Sequence, residues 1–217
     1  MRANLEQRAA ERSYGIAEGQ LTALLSWSKV SFINHINAWK DGRAVDAPVN
    51  ADGTRGLAWR GEPIVGPNGV AGEWGHNPLP WTSPTELQAR PCYCGKTGCQ
   101  ETFLSGTGLC LTYQRLTGEK LTGHEIVERA ADGNRAAIKT LEDYLDALAR
   151  GLAAVINVLD PDVIVLGGGA SNIAQIYSTV PTLLPRYVFG GECDTPIVQA
   201  VHGDSSGVRG AAWLNPL

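Results

Sequence analysis

The chain has 217 residues, of which 43% are hydrophobic and 18% are charged, and its formal net charge at pH 7 is -4. This composition excludes an intrinsically disordered chain, and the negative balance argues against partners such as nucleic acid or anionic membranes. The sequence contains no run of about 20 apolar residues, so we expect no transmembrane helix. The charged residues after Met1 do not match a secretory signal. The sequence therefore predicts a cytoplasmic globular protein of one domain or slightly more.

The sequence changes character near residue 55. Residues 21–39 form an apolar-rich run whose leading residues fit one side of an irregular helix. Residues 46–56 are rich in Gly, Pro, Asn and Asp, which is typical of a loop or linker. We therefore expect an N-terminal segment over residues 1–55 and a second region over residues 56–217.

The second region begins with weakly patterned elements. Residues 56–66 predict two short strands around a turn, and residues 100–116 predict a helix that glycines interrupt. Thr122 and Glu125 have the spacing of a capping box, so a short helix is expected to follow as far as Ala131.

The strongest helix signal lies in residues 134–159, where apolar residues recur at steps of three and four. Asp160 and Pro161 should end this helix, because the residue before proline is disfavoured in the α region. The apolar run 163–166 predicts a buried strand, and residues 196–201 predict another. Helix, strand, glycine turn and helix in this order predict an α/β sheet covered by helices.

Three of the five cysteines lie within eight residues, at Cys92, Cys94 and Cys99. In a reducing compartment such crowding favours a metal site over disulfides. Structural zinc sites often use three cysteines and one histidine, and the nearest upstream histidine is His76. The sequence thus predicts a zinc-binding loop over residues 76–99, and the alternative is a loop with three free thiols.

Two carboxylates lie close to this cluster in the sequence. Glu73 precedes His76 by three residues, and Glu101 follows Cys99 by two. Carboxylates accept hydrogen bonds from hydroxyl groups such as those of a sugar, and a metal-fixed loop would preorganise them. The alternative for each acid taken alone is a solvated surface residue.

A strand followed by glycines also suggests a ligand site. Gly167, Gly168 and Gly169 follow the predicted strand, and ligands of open α/β sheets bind beyond the carboxyl ends of strands. The alternative is a tight turn with no ligand, since neither a Walker A motif nor a full dinucleotide fingerprint is present. A second glycine-containing turn over residues 203–207 predicts a terminal helix over residues 208–214.

Three motifs together resemble the ROK family of repressors and sugar kinases. They are GVAGEWGHNPL in residues 69–79, CYCGKTGCQE in residues 92–101 and LGGG in residues 166–169. Three further motifs are similar to the bacterial fructokinase branch of this family. They are PW, FGGE and GDSSGVRGAAW, which begin at residues 80, 189 and 203. The resemblance covers residues 56–217.

The resemblance implies an actin-like, ribonuclease-H-like sugar kinase fold, of which the chain would hold largely the C-terminal half. It implies an ATP- and magnesium-dependent kinase acting on a hexose, fructose by branch, and a possible homodimer. The implied zinc ligands are His76, Cys92, Cys94 and Cys99. The implied sugar contacts are Glu73, His76 and Glu101. The implied nucleotide contacts are Gly167, Gly168 and Gly169.

The N-terminal segment departs from the family pattern. Residues 1–55 contain no Asp-x-Gly-Gly-Thr phosphate loop, and the chain contains no Asn-Asp pair to supply the catalytic aspartate. We therefore identify no catalytic residue and expect a truncated, impaired fructokinase-type enzyme. Two alternatives are a sugar-responsive transcription regulator, with a helix-turn-helix over residues 21–45, and a non-catalytic, zinc-stabilised sugar-binding remnant.

Overall fold

A computed structural model describes residues 22–27, 38–40, 43–45, 58–59, 62–63, 67–68 and 73–200. The strands are β1 (Thr22–Trp27), β2 (Ala38–Lys40), β3 (Arg43–Val45), β4 (Ala58–Trp59), β5 (Glu62–Pro63), β6 (Val163–Gly168) and β7 (Ile197–Gln199). The α-helices are α1 (Pro84–Gln88), α2 (Glu101–Leu104), α3 (Gly106–Thr117), α4 (Gly123–Ala131), α5 (Arg135–Leu159) and α6 (Gln175–Leu183). Short 3-10 turns cover Trp74–His76, Gly169–Asn172 and Leu184–Arg186.

Three strands form a parallel sheet in the order β1-β6-β7. Central strand β6 pairs with β1 through Val165 opposite Leu24, and with β7 through Val165 opposite Val198. Ile164 and Leu166 of β6 point to one face of the sheet and are fully buried, whereas Val163 and Val165 on the other face are partly buried. The predicted α/β sheet is present, and the predicted second strand is the shorter β7.

The sequence interpretation of residues 21–39 as helical is wrong where the structure describes them. Residues 22–27 form β1, which pairs with β6. The interpretation failed because a short apolar run cannot be told from a helix segment by periodicity alone. Strands β1, β2 and β3 also occupy part of the segment that a helix-turn-helix would need. Residues 3–12 and the predicted helix over residues 208–214 lie outside the described residues.

Helix α5 is the centre of the helical layer. It packs against α2, α3, α4 and α6, and the predicted apolar stripe buries Leu141, Leu145, Leu148 and Leu152. The helix begins where Asn134 accepts a hydrogen bond from the Ala137 amide at 3.0 Å. The predicted boundaries of this helix are confirmed, and so is the capping box at the start of α4.

The helix predicted over residues 100–116 is divided into α2 and α3 at Ser105. The Ser105 Oγ accepts a hydrogen bond from the Gly108 amide at 3.0 Å and caps α3. A Cβ at Gly108 would lie 2.7 Å from the Phe103 carbonyl, so only glycine allows the two helices to meet this closely. Within the described residues, none of the helices combines the length and the hydropathy that crossing a bilayer requires.

Candidate metal and sugar site

Two extended segments run side by side and bring the predicted metal ligands together. The Leu79 amide donates to the Gly98 carbonyl at 3.0 Å, and the Gln100 amide donates to the Asn77 carbonyl at 2.9 Å. These bonds fix His76, which ends a 3-10 turn, beside Cys99.

The loop that carries the other two cysteines is closed at its base. The Gly98 amide donates to the Arg90 carbonyl at 2.7 Å, and the Cys92 amide donates to the Lys96 carbonyl at 2.8 Å. Gly98 has φ +75°, and a Cβ there would lie 2.3 Å from Leu87 Cδ2. Backbone conformation and close packing on α1 therefore both require glycine at this position.

The four predicted metal ligands form one cluster. The ligand atoms of His76, Cys92, Cys94 and Cys99 all lie within 4.8 Å of one another. The Cys92 Sγ is 3.6 Å from His76 Nδ1, and the Cys94 Sγ is 3.6 Å from the Cys99 Sγ. A tetrahedral zinc with Zn–S bonds of about 2.3 Å separates its sulfur ligands by about 3.7 Å. The donor set and its spacing thus fit a four-coordinate zinc ion.

The thiols differ in their electrostatic surroundings. Burial, together with the hydrogen bond to the Glu101 carboxylate, raises the pKa of the Cys92 thiol well above its usual value. The backbone amide of Lys96 lowers the pKa of the more exposed Cys94. Cys94 is therefore the thiol that gives up its proton most readily in the metal-free cluster, and a cation would favour the thiolate at every position.

His76 lies close to the thiols and to both predicted acids. Its Nδ1 is the nitrogen near the thiols and Glu101, and its Nε2 is the nitrogen near Glu73. Glu101 Oε1 lies 3.6 Å from His76 Nδ1 and accepts a hydrogen bond from the Cys92 thiol at 2.8 Å. Glu73 Oε2 lies 4.0 Å from His76 Nε2. The structure therefore brings together Glu73, His76 and Glu101, and Glu101 is the buried member of the three.

Sequence reasoning missed Tyr93 as a member of this site. Its hydroxyl oxygen lies 2.9 Å from His76 Nε2, and the two rings meet edge to face with centroids 5.2 Å apart. Desolvation of the phenol, followed by the carboxylates of Glu101 and Glu73, raises the pKa of Tyr93 and keeps the hydroxyl protonated. Its position in the sequence between two predicted cysteine ligands is the feature that could have identified it as a site residue.

Arg90 connects the cysteine loop with the helices behind it, and the sequence analysis did not identify it. Its guanidinium donates to the carbonyls of Thr102 and Gly108 at 2.9 and 3.3 Å and lies 4.5 Å over the Phe103 ring. Burial, with the nearby charge of Arg115, lowers the pKa of Arg90 to about 10. The side chain holds α2, and therefore Glu101, against α3.

A cavity of about 670 Å³ opens where β6 ends. Gly169 and Ala170 line one wall, and the first residues of α3 and α4 line the other. Small-molecule sites have this size range. Of the three glycines predicted to contact a nucleotide, Gly169 reaches this cavity, while Gly167 and Gly168 are buried in β6.

The structure is an α/β protein with a helix-flanked parallel sheet, a Cys3His cluster with carboxylates beside it, and a cavity beyond a parallel strand. Residues 54–216 match the model of the ROK family, and the chain belongs to this family. It is 40% identical over 164 residues to an N-acetyl-D-glucosamine kinase of Vibrio atlanticus, covering 74% of this chain and 54% of that protein. It is 38% identical over 167 residues to the N-acetyl-D-glucosamine kinase of Salmonella typhi, covering 75% of this chain and 55% of the other. The chain thus spans about half the length of the curated relatives it matches.

Solved structures share the fold. A ROK family glucokinase from Streptomyces griseus, in complex with glucose and AMPPNP, has a TM-score of 0.67 at 21% identity, covering 95% of this chain and 65% of its own. A ROK family transcriptional regulator, a homologue of the E. coli MLC protein, has a TM-score of 0.56 at 21% identity, covering 82% of this chain and 41% of its own. The predicted family and the predicted actin-like, ribonuclease-H-like fold are confirmed.

Proposed function

We propose that this chain forms the metal- and sugar-binding side of an ATP-dependent hexose kinase. The observation that carries the proposal is the orientation of His76, whose Nδ1 faces the thiols while its Nε2 faces Tyr93 and Glu73. An imidazole bound to a metal through one nitrogen presents the other as a rigid hydrogen-bonding group. The neighbouring carboxylates can accept hydrogen bonds from sugar hydroxyls.

In this proposal zinc is held by His76, Cys92, Cys94 and Cys99. Four protein ligands leave no open position, so the ion would have a structural role. It would supply the crosslink that fixes the loop and the tautomer of His76. The side chains of Glu73 and Glu101 would bind and orient the sugar.

N-acetyl-D-glucosamine is the first sugar to test, because the relatives at 38–40% identity are kinases of that sugar. Fructose is the second, because the motifs that begin at residues 80 and 189 are similar to the fructokinase branch. ATP is proposed to occupy the cavity beside Gly169, and magnesium would arrive on its phosphates. Because the chain has no Asn-Asp pair, we assign no catalytic base and expect weak turnover.

Sugar binding to the zinc-loaded chain is therefore the sharpest test. We expect equilibrium dialysis to detect labelled N-acetyl-D-glucosamine, with weaker binding of fructose and glucose. Glu73→Gln should weaken binding about tenfold or more, since a hydrogen bond to a charged acceptor contributes about 1.5–3 kcal/mol. Glu142→Gln, at an exposed position on α5, is the matched control and should bind like the wild type. If none of the three sugars binds the folded, zinc-loaded chain, the proposed sugar site is wrong.

The nucleotide part of the proposal has its own readout. Cys110 lines the cavity, whereas Cys193 is not among its lining residues. AMPPNP with magnesium should slow alkylation of Cys110 and leave that of Cys193 unchanged, as measured by mass spectrometry. Equal protection of both thiols, or of neither, would contradict a nucleotide in this cavity.

A further inference from the structure

In the proposed function His76 Nε2 is the atom that contacts the sugar, and in the structure this atom already has a partner. The Tyr93 hydroxyl lies 2.9 Å from it, at hydrogen-bonding distance. With Nδ1 bound to a metal, the neutral imidazole carries its proton on Nε2, which then donates to the Tyr93 oxygen. A sugar hydroxyl that binds Nε2 needs the position that Tyr93 occupies.

We propose that Tyr93 is a displaceable latch, an internal stand-in for a sugar hydroxyl that closes the site until a hexose replaces it. This inference rests on the proposed sugar-binding function. It goes beyond that function by assigning a specificity role to a residue outside the predicted contacts.

The surroundings of Tyr93 suit a side chain that moves. The residue is 74% exposed, so swinging the ring outward removes few packing contacts. Its backbone lies between Cys92 and Cys94, which the metal would hold in place, so the motion needs only side-chain rotation. The carboxylates of Glu73 and Glu101 lie 4.0 and 3.6 Å from the imidazole nitrogens of His76, so the proposed sugar contacts are adjacent to the latch.

The latch has an energetic consequence for binding. A sugar gains its hydrogen bond to His76 only after the bond to Tyr93 breaks, so the affinity is lower than the same site would show without the hydroxyl. Removing a competing hydrogen bond of ordinary strength should raise affinity about threefold to tenfold. A ligand that places no hydroxyl at Nε2 would leave the latch closed, which is how the residue would select among sugars.

The test compares Tyr93→Phe and Tyr93→Ala with the wild-type 217-residue chain, each loaded with zinc and checked for equal zinc content. Equilibrium dialysis with N-acetyl-D-glucosamine should show tighter binding by both variants. Tyr113→Phe, which removes a hydroxyl from α3, is the matched control and should leave the affinity unchanged. Unchanged binding by Tyr93→Phe together with weaker binding by Tyr93→Ala would make Tyr93 a stacking platform and overturn the latch.

A second readout needs no sugar. In the 1H–15N spectrum of the zinc-loaded chain, the Nε2–H proton of His76 should exchange slowly in the wild type and at least several-fold faster in Tyr93→Phe. If no sugar binds any variant, the proposed function fails, and the proton exchange alone decides whether the hydrogen bond exists. Equal exchange in wild type and Tyr93→Phe would overturn the latch whatever the sugar data show.

Discussion

Arg150 and Thr82 are 68 positions apart in the sequence, yet the Arg150 guanidinium lies 3.1 Å from the Thr82 hydroxyl oxygen. The same nitrogen donates to the Pro80 carbonyl at 3.3 Å, and Nε lies 3.1 Å from an oxygen of Asp146. Arg150 is buried in the middle of α5. The long helix therefore holds the segment that connects His76 to the cysteine loop of the candidate metal and sugar site.

Replacing this guanidinium should destabilise the protein. Arg150→Met keeps the length of the side chain but removes the charged donor to the Pro80 carbonyl and the Thr82 hydroxyl, and the partner of Asp146. We expect a loss of about 2–3 kcal/mol in the free energy of unfolding, measured by urea denaturation. Arg135→Met, at an exposed position of the same helix, should change it by less than about 0.5 kcal/mol. Equal stability of the two variants would show that the Arg150 contacts contribute nothing.

Gly151 gives a second prediction on the same helix. A Cβ there would lie 2.6 Å from Gln100 Oε1 and 3.1 Å from Trp74 Cζ3, and these residues are the neighbours of Glu101 and Glu73. Gly151→Ala should therefore cost about 1–3 kcal/mol of stability despite the better helix propensity of alanine. It should also weaken sugar binding, because both carboxylates move.

The control for this change is another helical glycine. A Cβ at Gly123 would meet Leu109 at 3.6 Å, an ordinary contact. Thermal unfolding of Gly123→Ala should therefore match the wild type or show a slightly higher midpoint. A Gly151→Ala protein as stable as Gly123→Ala would mean that α5 does not pack on Gln100 and Trp74 as described.

Zinc content should depend on the clustered cysteines and not on the others. The purified chain is expected to hold one zinc ion, and Cys99→Ser should lower zinc affinity at least tenfold because it removes a thiolate ligand. Cys110→Ser should keep full occupancy. Atomic emission spectroscopy and competition with a chromophoric chelator measure both. Tight stoichiometric zinc in Cys99→Ser would assign the metal to other residues.

Buried Tyr144 and partly buried Tyr177 predict a loss of stability at high pH. Burial raises the pKa of Tyr177 to about 12 and raises that of Tyr144 further above its usual range. The folded chain therefore holds protons that the unfolded chain releases above about pH 10. The contribution of these tyrosines to the free energy of unfolding should be fully present below about pH 10 and should be lost as the pH rises from 10 towards 12.

Urea midpoints at pH 9, 10 and 11 test this expectation. Each of the two tyrosines should contribute up to about 1.4 kcal/mol per pH unit in the falling range. Tyr144 donates its hydroxyl to the Leu104 carbonyl at 3.1 Å, so Tyr144→Phe should be less stable at pH 9 but should show a shallower decline. Parallel pH profiles of wild type and variant would contradict the assignment.

The elements that the sequence predicted correctly are those whose signals are local. The capping box of Thr122 and Glu125 and the stripe of α5 depend on neighbours three or four positions apart. Three of the four ligands in the metal cluster lie within eight residues, and one nearby histidine completes the set.

The features that the sequence did not predict depend on distant contacts. β1 is an apolar run whose state is decided by its pairing with β6. Arg90 and Arg150 donate to backbone carbonyls, and every residue type has such a carbonyl, so the sequence does not identify their partners. The Tyr93 contact with His76 spans 17 positions and follows from the fold of the loop.

Helix α5 is a single rod of 25 residues, which corresponds to about 37 Å. It packs against α2, which carries Glu101, and against α3 and α4, whose first residues line the cavity. The metal cluster side and the cavity side are thus attached to the same helix, so we expect them to move together. A conformational change that brings two ligands into reacting distance would therefore have to come from polypeptide that does not pack on α5.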